Sequence, residues 1–272
     1  MNYRIAFLAA AAFSAAACSR ISEDRAFQWS DQLPAGAVVH LRSGAGEVTV
    51  RRADGATAHV TGTRRWRRGR SRDIRFVVNQ NGNDYYICAM WSGSGKCDAS
   101  GYRGRQRNGF LTMFSLFHRG SDASADFVAE LPANVGVDVR TFNGSVRVDG
   151  LTGGVTARTS NGTVQASNVS GPLALTTTNG NVRLTTDSLS DSDSVRLSTT
   201  NGTIHAELPA GVQGAFDIST VNGAVRSDFP IPGADGRSSR HLQGQLGTSA
   251  RVVRMRAVNG TVSLVSRTAA TR

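Results

Sequence analysis

The sequence predicts an all-β protein: a parallel β-helix, or solenoid, of about 18–22-residue rungs with Asn-Gly corners, behind an irregular N-terminal β region. Three observations carry this expectation. The dipeptide recurs as Asn143-Gly144, Asn161-Gly162, Asn179-Gly180, Asn201-Gly202, Asn222-Gly223 and Asn259-Gly260, at intervals of 18, 18, 22, 21 and 37 residues. Apolar and polar residues alternate at period two on both sides of each turn, the pattern of half-buried strands. The same residue types also stand at the same offset from every Asn.

That register is tight. Six residues before the turn stand Val137, Val155, Leu173, Val195, Phe216 and Val253; two before stand Thr141, Thr159, Thr177, Thr199, Thr220 and Ala257; three after stand Val146, Val164, Val182, Ile204, Val225 and Val262. Each unit therefore reads as strand, sharp corner, strand, loop, with Gly tolerating positive φ and Asn tolerating it better than most residues. Asn-Gly between alternating strands is also the strongest short hairpin signal. Separate hairpins need only alternation, however, whereas stacked rungs need matched columns, because one short unit cannot bury its own apolar face. The columns favour the solenoid over an antiparallel meander or barrel. In chain order the rung of Gly260 comes last, which places it near one end of the stack.

Leu33-Pro34-Ala35-Gly36, Leu131-Pro132-Ala133-Asn134 and Leu208-Pro209-Ala210-Gly211 repeat as corners between rungs. Ala45-Gly46 lies 11 residues after Pro34, as Asn143 lies 11 after Pro132, and marks a degenerate first rung. Ile74–Val78 and Tyr85–Cys88 read as strands around Asn81-Gly82. Phe110, Met113, Phe114 and Phe117 fit either a short capping helix or a strand. The stretch 230–247, which accounts for the long interval, reads as a surface loop. The expected organisation is a signal peptide over 1–18, a tether over 19–30, an N-terminal β region over 31–130, the repeats over 131–266 and a tail over 267–272.

The N-terminus points to export. Arg4 precedes a short apolar run, Ile5–Phe13, too short to span a bilayer. Ser14-Ala15-Ala16-Ala17-Cys18 closes the run and resembles a lipoprotein processing site, with Ala15 in place of the usual Leu. On this reading Cys18 is acylated, and the protein is held at the membrane on the periplasmic face or the cell surface; the alternative is ordinary secretory cleavage. Cys88 and Cys97 then remain as an even pair across a glycine-containing loop, and an oxidising compartment favours their disulfide.

The matched registers, the Leu-Pro-Ala-Gly corners and the Thr-x-Asn-Gly-x-Val columns resemble the DUF4097 group of adhesin-labelled envelope proteins, which is related to the head domains of autotransporter adhesins. The resemblance spans about residues 33 to 265. It implies a β-helix-like fold in the cell envelope and little about activity. The insertion from about 64 to 120 departs from the group's compact pattern.

Charge and chemistry narrow the function. Apolar content of 39% supports a packed core, and the net charge of +11 favours anionic partners. That positive charge is almost all arginine, with Lys96 the single lysine. The densest run, Arg64, Arg65, Arg67, Arg68, Arg70, Arg72 and Arg75, is the candidate site for an anionic glycan or envelope polymer, since guanidinium pairs bidentately with carboxylate and phosphate; it also fits a strand edge protected by charge. Nucleic acid is not an expected partner of an exported protein. Asp138, Asp149, Glu207, Asp217 and Asp228 do not repeat relative to the turn, the Asp187–Asp193 loop lacks a calcium-repeat pattern, and the five histidines show no ligand spacing. No catalytic residue, metal site or cofactor is expected. The reading is a non-enzymatic envelope lipoprotein for adhesion, ligand binding or scaffolding, with a β-helix enzyme acting on acidic polysaccharide as the alternative.

Overall fold

The computed structural model describes residues 22–66, 74–91, 95–99, 101–104, 123–231 and 240–268. Its strands in the N-terminal part are β1 (Ser22–Gln32), β2 (Val38–Arg42), β3 (Val48–Arg52), β4 (Thr57–Trp66), β5 (Ile74–Asn81), β6 (Asp84–Trp91), β7 (Gly95–Asp98), β8 (Gly101–Gly104) and β9 (Ser124–Leu131). The repeats follow as β10 (Gly136–Arg140), β11 (Val146–Asp149), β12 (Val155–Asn161), β13 (Val164–Ser167), β14 (Leu173–Asn179), β15 (Val182–Thr185), β16 (Val195–Asn201) and β17 (Ile204–Pro209). The chain continues through β18 (Gly214–Asn222), β19 (Val225–Ser227), β20 (His241–Leu246), β21 (Val252–Asn259) and β22 (Val262–Arg267).

These strands make two ten-stranded sheets and a small β7–β8 hairpin. Each turn of the coil gives one strand to each sheet, and neighbouring turns pair in parallel. The stack runs β6/β9, β2/β3, β10/β11, β12/β13, β14/β15, β16/β17, β21/β22, β18/β19. Val, Leu, Ile and Ala from the inner faces fill the space between the sheets, at 0–2% exposure for most of them. Fully burying such a side chain contributes about 1.5–3 kcal/mol for the larger types, which explains why the alternation is so regular. The Leu-Pro-Ala corners close as tight turns, with Ala37, Val135 and Val212 N–H donating to the carbonyls of Pro34, Pro132 and Pro209 at 3.1, 3.0 and 2.9 Å.

The Asn-Gly corners are held by three columns. Side-chain amides link rung to rung: Asn161 Nδ2 donates to Asn143 Oδ1 at 2.7 Å, Asn179 to Asn161 at 2.8 Å, Asn201 to Asn179 at 2.8 Å, Asn259 to Asn201 at 2.7 Å and Asn222 to Asn259 at 2.8 Å. The next residues pack too closely for any side chain. A Cβ on Gly162, Gly180, Gly202 or Gly260 would overlap the glycine carbonyl of the rung before it, and at all four φ is positive. Thr159, Thr177 and Thr199 donate their hydroxyls to the carbonyls of Gly144, Gly162 and Gly180, and Thr220 donates to that of Gly260, at 2.8–2.9 Å. Ala257 occupies the same column, between Thr199 and Thr220, without a hydroxyl. Ala257→Thr is therefore expected to raise stability by about 0.5–1.5 kcal/mol, the net worth of one added hydrogen bond. The gain should appear as a higher urea midpoint at unchanged m; no rise would mean the Gly202 carbonyl is already satisfied.

Four expectations change. The Gly260 rung is not terminal: β21/β22 lies between β16/β17 and β18/β19. The reason is β20, which returns antiparallel along the outer edge of β18 and leaves only its inner edge for the last strands. The stretch 230–247 is thus a loop only in part, since it supplies this capping strand; residues 232–239 lie outside the described residues. The tether is shorter than expected, because β1 starts at Ser22 and takes its backbone partners from β4, a pairing that needs no apolar pattern. The N-terminal region contains two stacked rungs of its own. Here too the chain order is inverted, with β6/β9 outside β2/β3 and both edges closed by antiparallel β5 and β4. The Phe110–Phe117 segment lies outside the described residues.

Candidate functional site

Pleating sends alternate residues of the second sheet outward, and parallel pairing in register stacks them into two columns. One column reads Tyr86, His40, Asp138, Thr156, Ala174, Arg196, Arg254, Asp217; the other reads Cys88, Arg42, Arg140, Arg158, Thr176, Ser198, Arg256, Ser219. Six arginines thus share this face with the carboxylates of Asp138 and Asp217. The matching columns of the first sheet hold Arg51, Arg147, Arg183 and Arg226 against Glu130, Asp149 and Glu207. There Arg51 pairs with Glu130 and Arg147 with Glu47. The second sheet carries the larger excess of positive charge.

At the N-terminal end of this face lies a half-buried charged network. Arg42, whose side chain is 7% exposed, donates to Asp138 Oδ2 and to the Asp138 carbonyl, both at 2.6 Å. His40 stacks on Tyr86 at 4.3 Å between ring centroids, with Nε2 2.7 Å from Asp84 Oδ1 and Nδ1 3.3 Å from Asp138 Oδ2. Arg140 reaches Asp138 at 3.2 Å. Burial alone would raise the pKa of Asp138, but the hydrogen bond from His40 and the Arg42 guanidinium outweigh it and hold the group well below the usual carboxylate range. Burial lowers the pKa of Arg42 against the pull of Asp138, and burial also raises that of the Tyr86 phenol. The disulfide Cys88–Cys97 is formed, with Cα atoms 6.0 Å apart, and pins the β7–β8 hairpin over Tyr86 and Met90 on the outside of the sheet. At the other end of the face, Arg254 Nε and Arg256 Nη2 donate to Asp217 Oδ2 at 3.0 and 3.1 Å. Between these ends Arg158 forms no ion pair among the described residues, and Arg196 donates only to Ser194 Oγ, at 2.7 Å.

Of the arginine run singled out in the sequence, Arg64, Arg65 and Arg75 are among the described residues. Arg64 lies 5.6 Å from the Phe76 ring and 3.6 Å from Asp24, and Arg65 pairs with Asp126 at 2.8 Å and Glu23 at 3.6 Å. Arg75 is exposed on β5, in the other sheet; Arg67, Arg68, Arg70 and Arg72 lie outside the described residues, as does Cys18. The carboxylates are dispersed as well. Asp138 and Asp217 are on the second sheet and Asp149 and Glu207 on the first. Asp193 caps its own loop by accepting from Ser190 and Gly171 N–H. Asp187 pairs with Arg267 at 2.9 Å. Sequence reasoning missed the Asp138 network and the arginine columns, because both depend on which offsets face outward on the same sheet; the parity of Arg140 and Arg158 relative to the Asn column was the available signal.

The family model described as Toastrack DUF4097 matches residues 135–265, the repeats and the C-terminal rungs. Similar solved structures include one described as a "putative cell adhesion protein" from Clostridium sporogenes, 12% identical, TM-score 0.46, covering 91% of this chain and 99% of its own. Another, described as a "putative adhesin" from Bacteroides fragilis, is 11% identical, with TM-score 0.41 and coverage of 90% and 97%. No curated protein matches the chain.

Proposed function

We propose that this protein is an exported, lipid-anchored module of the cell envelope, without catalytic activity, that presents a rigid solenoid for adhesion, ligand binding or scaffolding. The observation that carries the reading is the stack itself. Among the described residues, antiparallel strands meet both strand edges at the N-terminal end and the β18 edge at the other, the carboxylates are divided between opposite sheets or tied to arginines, and one broad outer face is left basic. The formed disulfide supports an oxidising compartment. Lipidation at Cys18 accounts for membrane attachment, provided at least two acyl chains are added, since one chain gives only about 10⁴ M⁻¹.

The test has two arms. Cys18→Ser is expected to move the protein from the membrane to the soluble fraction, and retention on membranes in high salt would show that Cys18 is not the anchor. The soluble protein from Ser22 onward, immobilised, is expected to retain an envelope component from solubilised envelope material. Recovery of a chemically shortened glycan instead would favour the enzyme reading.

A further inference from the structure

We infer that the outer face of the second sheet binds a linear acidic polysaccharide lying along the solenoid axis, with uronate carboxylates held by Arg158 and by Arg196 with its neighbour Arg254. This rests on the binding-module reading above and names its ligand class and its surface.

The argument starts from spacing. Arg158 is on β12 and Arg196 on β16, two rungs apart, and parallel strands lie about 4.8 Å apart, so the two charges are separated by about 10 Å along the axis. The rung between them, β14, contributes Ala174 and Thr176 to the same face, and the flanking rungs add Thr156 and Ser198. A floor of small side chains therefore lies between two raised guanidinium groups. That relief suits an extended sugar chain carrying a carboxylate on every second residue: the charged sugars meet the arginines and the neutral sugar rests on Ala174, with Thr156, Thr176 and Ser198 within the same strip to hydrogen-bond its hydroxyls.

Charge supports the same choice. Arg158 and Arg196 are exposed and have no carboxylate partner among the described residues, so a ligand carboxylate displaces no ion pair. Arg254 and Arg256 share one carboxylate, Asp217, which leaves that end with surplus charge. A lipid surface is the poorer fit, because the exposed aliphatic side chains at this end of the sheet are only Val221 and Val258, beside the outer end of the Asn column, and the floor between Arg158 and Arg196 offers none to enter a bilayer. On the first sheet Arg183 and Arg226 are also exposed, but the carboxylates of Asp149 and Glu207 lie in the neighbouring column.

The experiment measures binding of the Cys18→Ser chain, which carries no acyl anchor, to hyaluronan, which carries alternating uronates, with neutral dextran, linear polyphosphate and phosphatidylglycerol vesicles as comparisons. Hyaluronan is expected to bind, weakening as salt is raised. The double variant Arg158→Glu/Arg196→Glu should bind at least tenfold more weakly, while Arg183→Glu/Arg226→Glu on the first sheet, with an unchanged unfolding midpoint, should bind as the parent does. Tighter binding to vesicles or polyphosphate than to hyaluronan overturns the proposal, as does a Glu double variant that keeps its affinity. If the chain retains an envelope component yet ignores every acidic polysaccharide, this inference fails and the binding-module reading stands. If it retains nothing, both fail.

Discussion

Gly180→Val and Gly260→Val are expected to destabilise the protein equally and severely. Both glycines have positive φ, 154° and 147°, and a side chain at either meets the carbonyl of the preceding rung. A β-branched residue in that backbone region costs about 1–3 kcal/mol, and forced overlap in a packed region about as much again. Each rung also has a neighbour on both sides, so the damage spreads to two interfaces. Gly223→Val should cost clearly less, because its rung is outermost and can move away from the Gly260 carbonyl. Urea unfolding of the three variants decides the matter. A mild effect at Gly260 would mean that the C-terminal rung does not sit inside the stack.

The second large effect centres on Asp138. Asp138→Ala removes the carboxylate that pairs with Arg42 and leaves a guanidinium buried without its counter-charge, a loss expected to cost about 3–5 kcal/mol. Replacing both partners, as Arg42→Met with Asp138→Leu, should recover most of it, since the penalty belongs to the orphaned charge. The pH dependence follows from the sign of the shift. Asp138 titrates lower in the folded protein than the ordinary value of 3.8, so its contribution is present above that pH and drains away as the pH falls toward the folded value. Stability of the parent should therefore drop on acidification below about pH 4 more steeply than that of Arg42→Met/Asp138→Leu. Parallel pH profiles would remove Asp138 from the network.

Much of the repeat region was legible because its physics is local. The Val and Leu offsets around each Asn report burial directly, and Ala45-Gly46 shows its place through the Pro34 interval. What could not be read was the order in which rungs meet. The 37-residue interval between Asn222 and Asn259 looks the same whether the intervening strand caps the stack or hangs off it. The β6/β9 rung was hidden by the long insertion between its two strands and by β6 itself, whose residues Tyr85–Met90 are buried on both faces and so lack alternation. The candidate site was missed for a related reason. Arg64–Arg75 is dense along the chain, yet its described members face different neighbours, whereas Arg140, Arg158, Arg196 and Arg254 are scattered along the chain and brought together by the rung register.

The inverted rung order at both ends also governs how such a protein can lengthen over evolutionary time. A duplicated unit placed between β13 and β14 would add one layer and leave both terminal arrangements intact. A unit appended after β22 would find no free edge on that strand, which is already paired on one side with β17 and on the other with β19. Relatives of different length should therefore gain or lose units in the stretch between β10 and β17, while the sequences that build the two ends stay constant in number. By the same geometry, a domain fused to the C-terminus leaves the molecule from its flank at Arg267, and so hangs beside the rod instead of prolonging it.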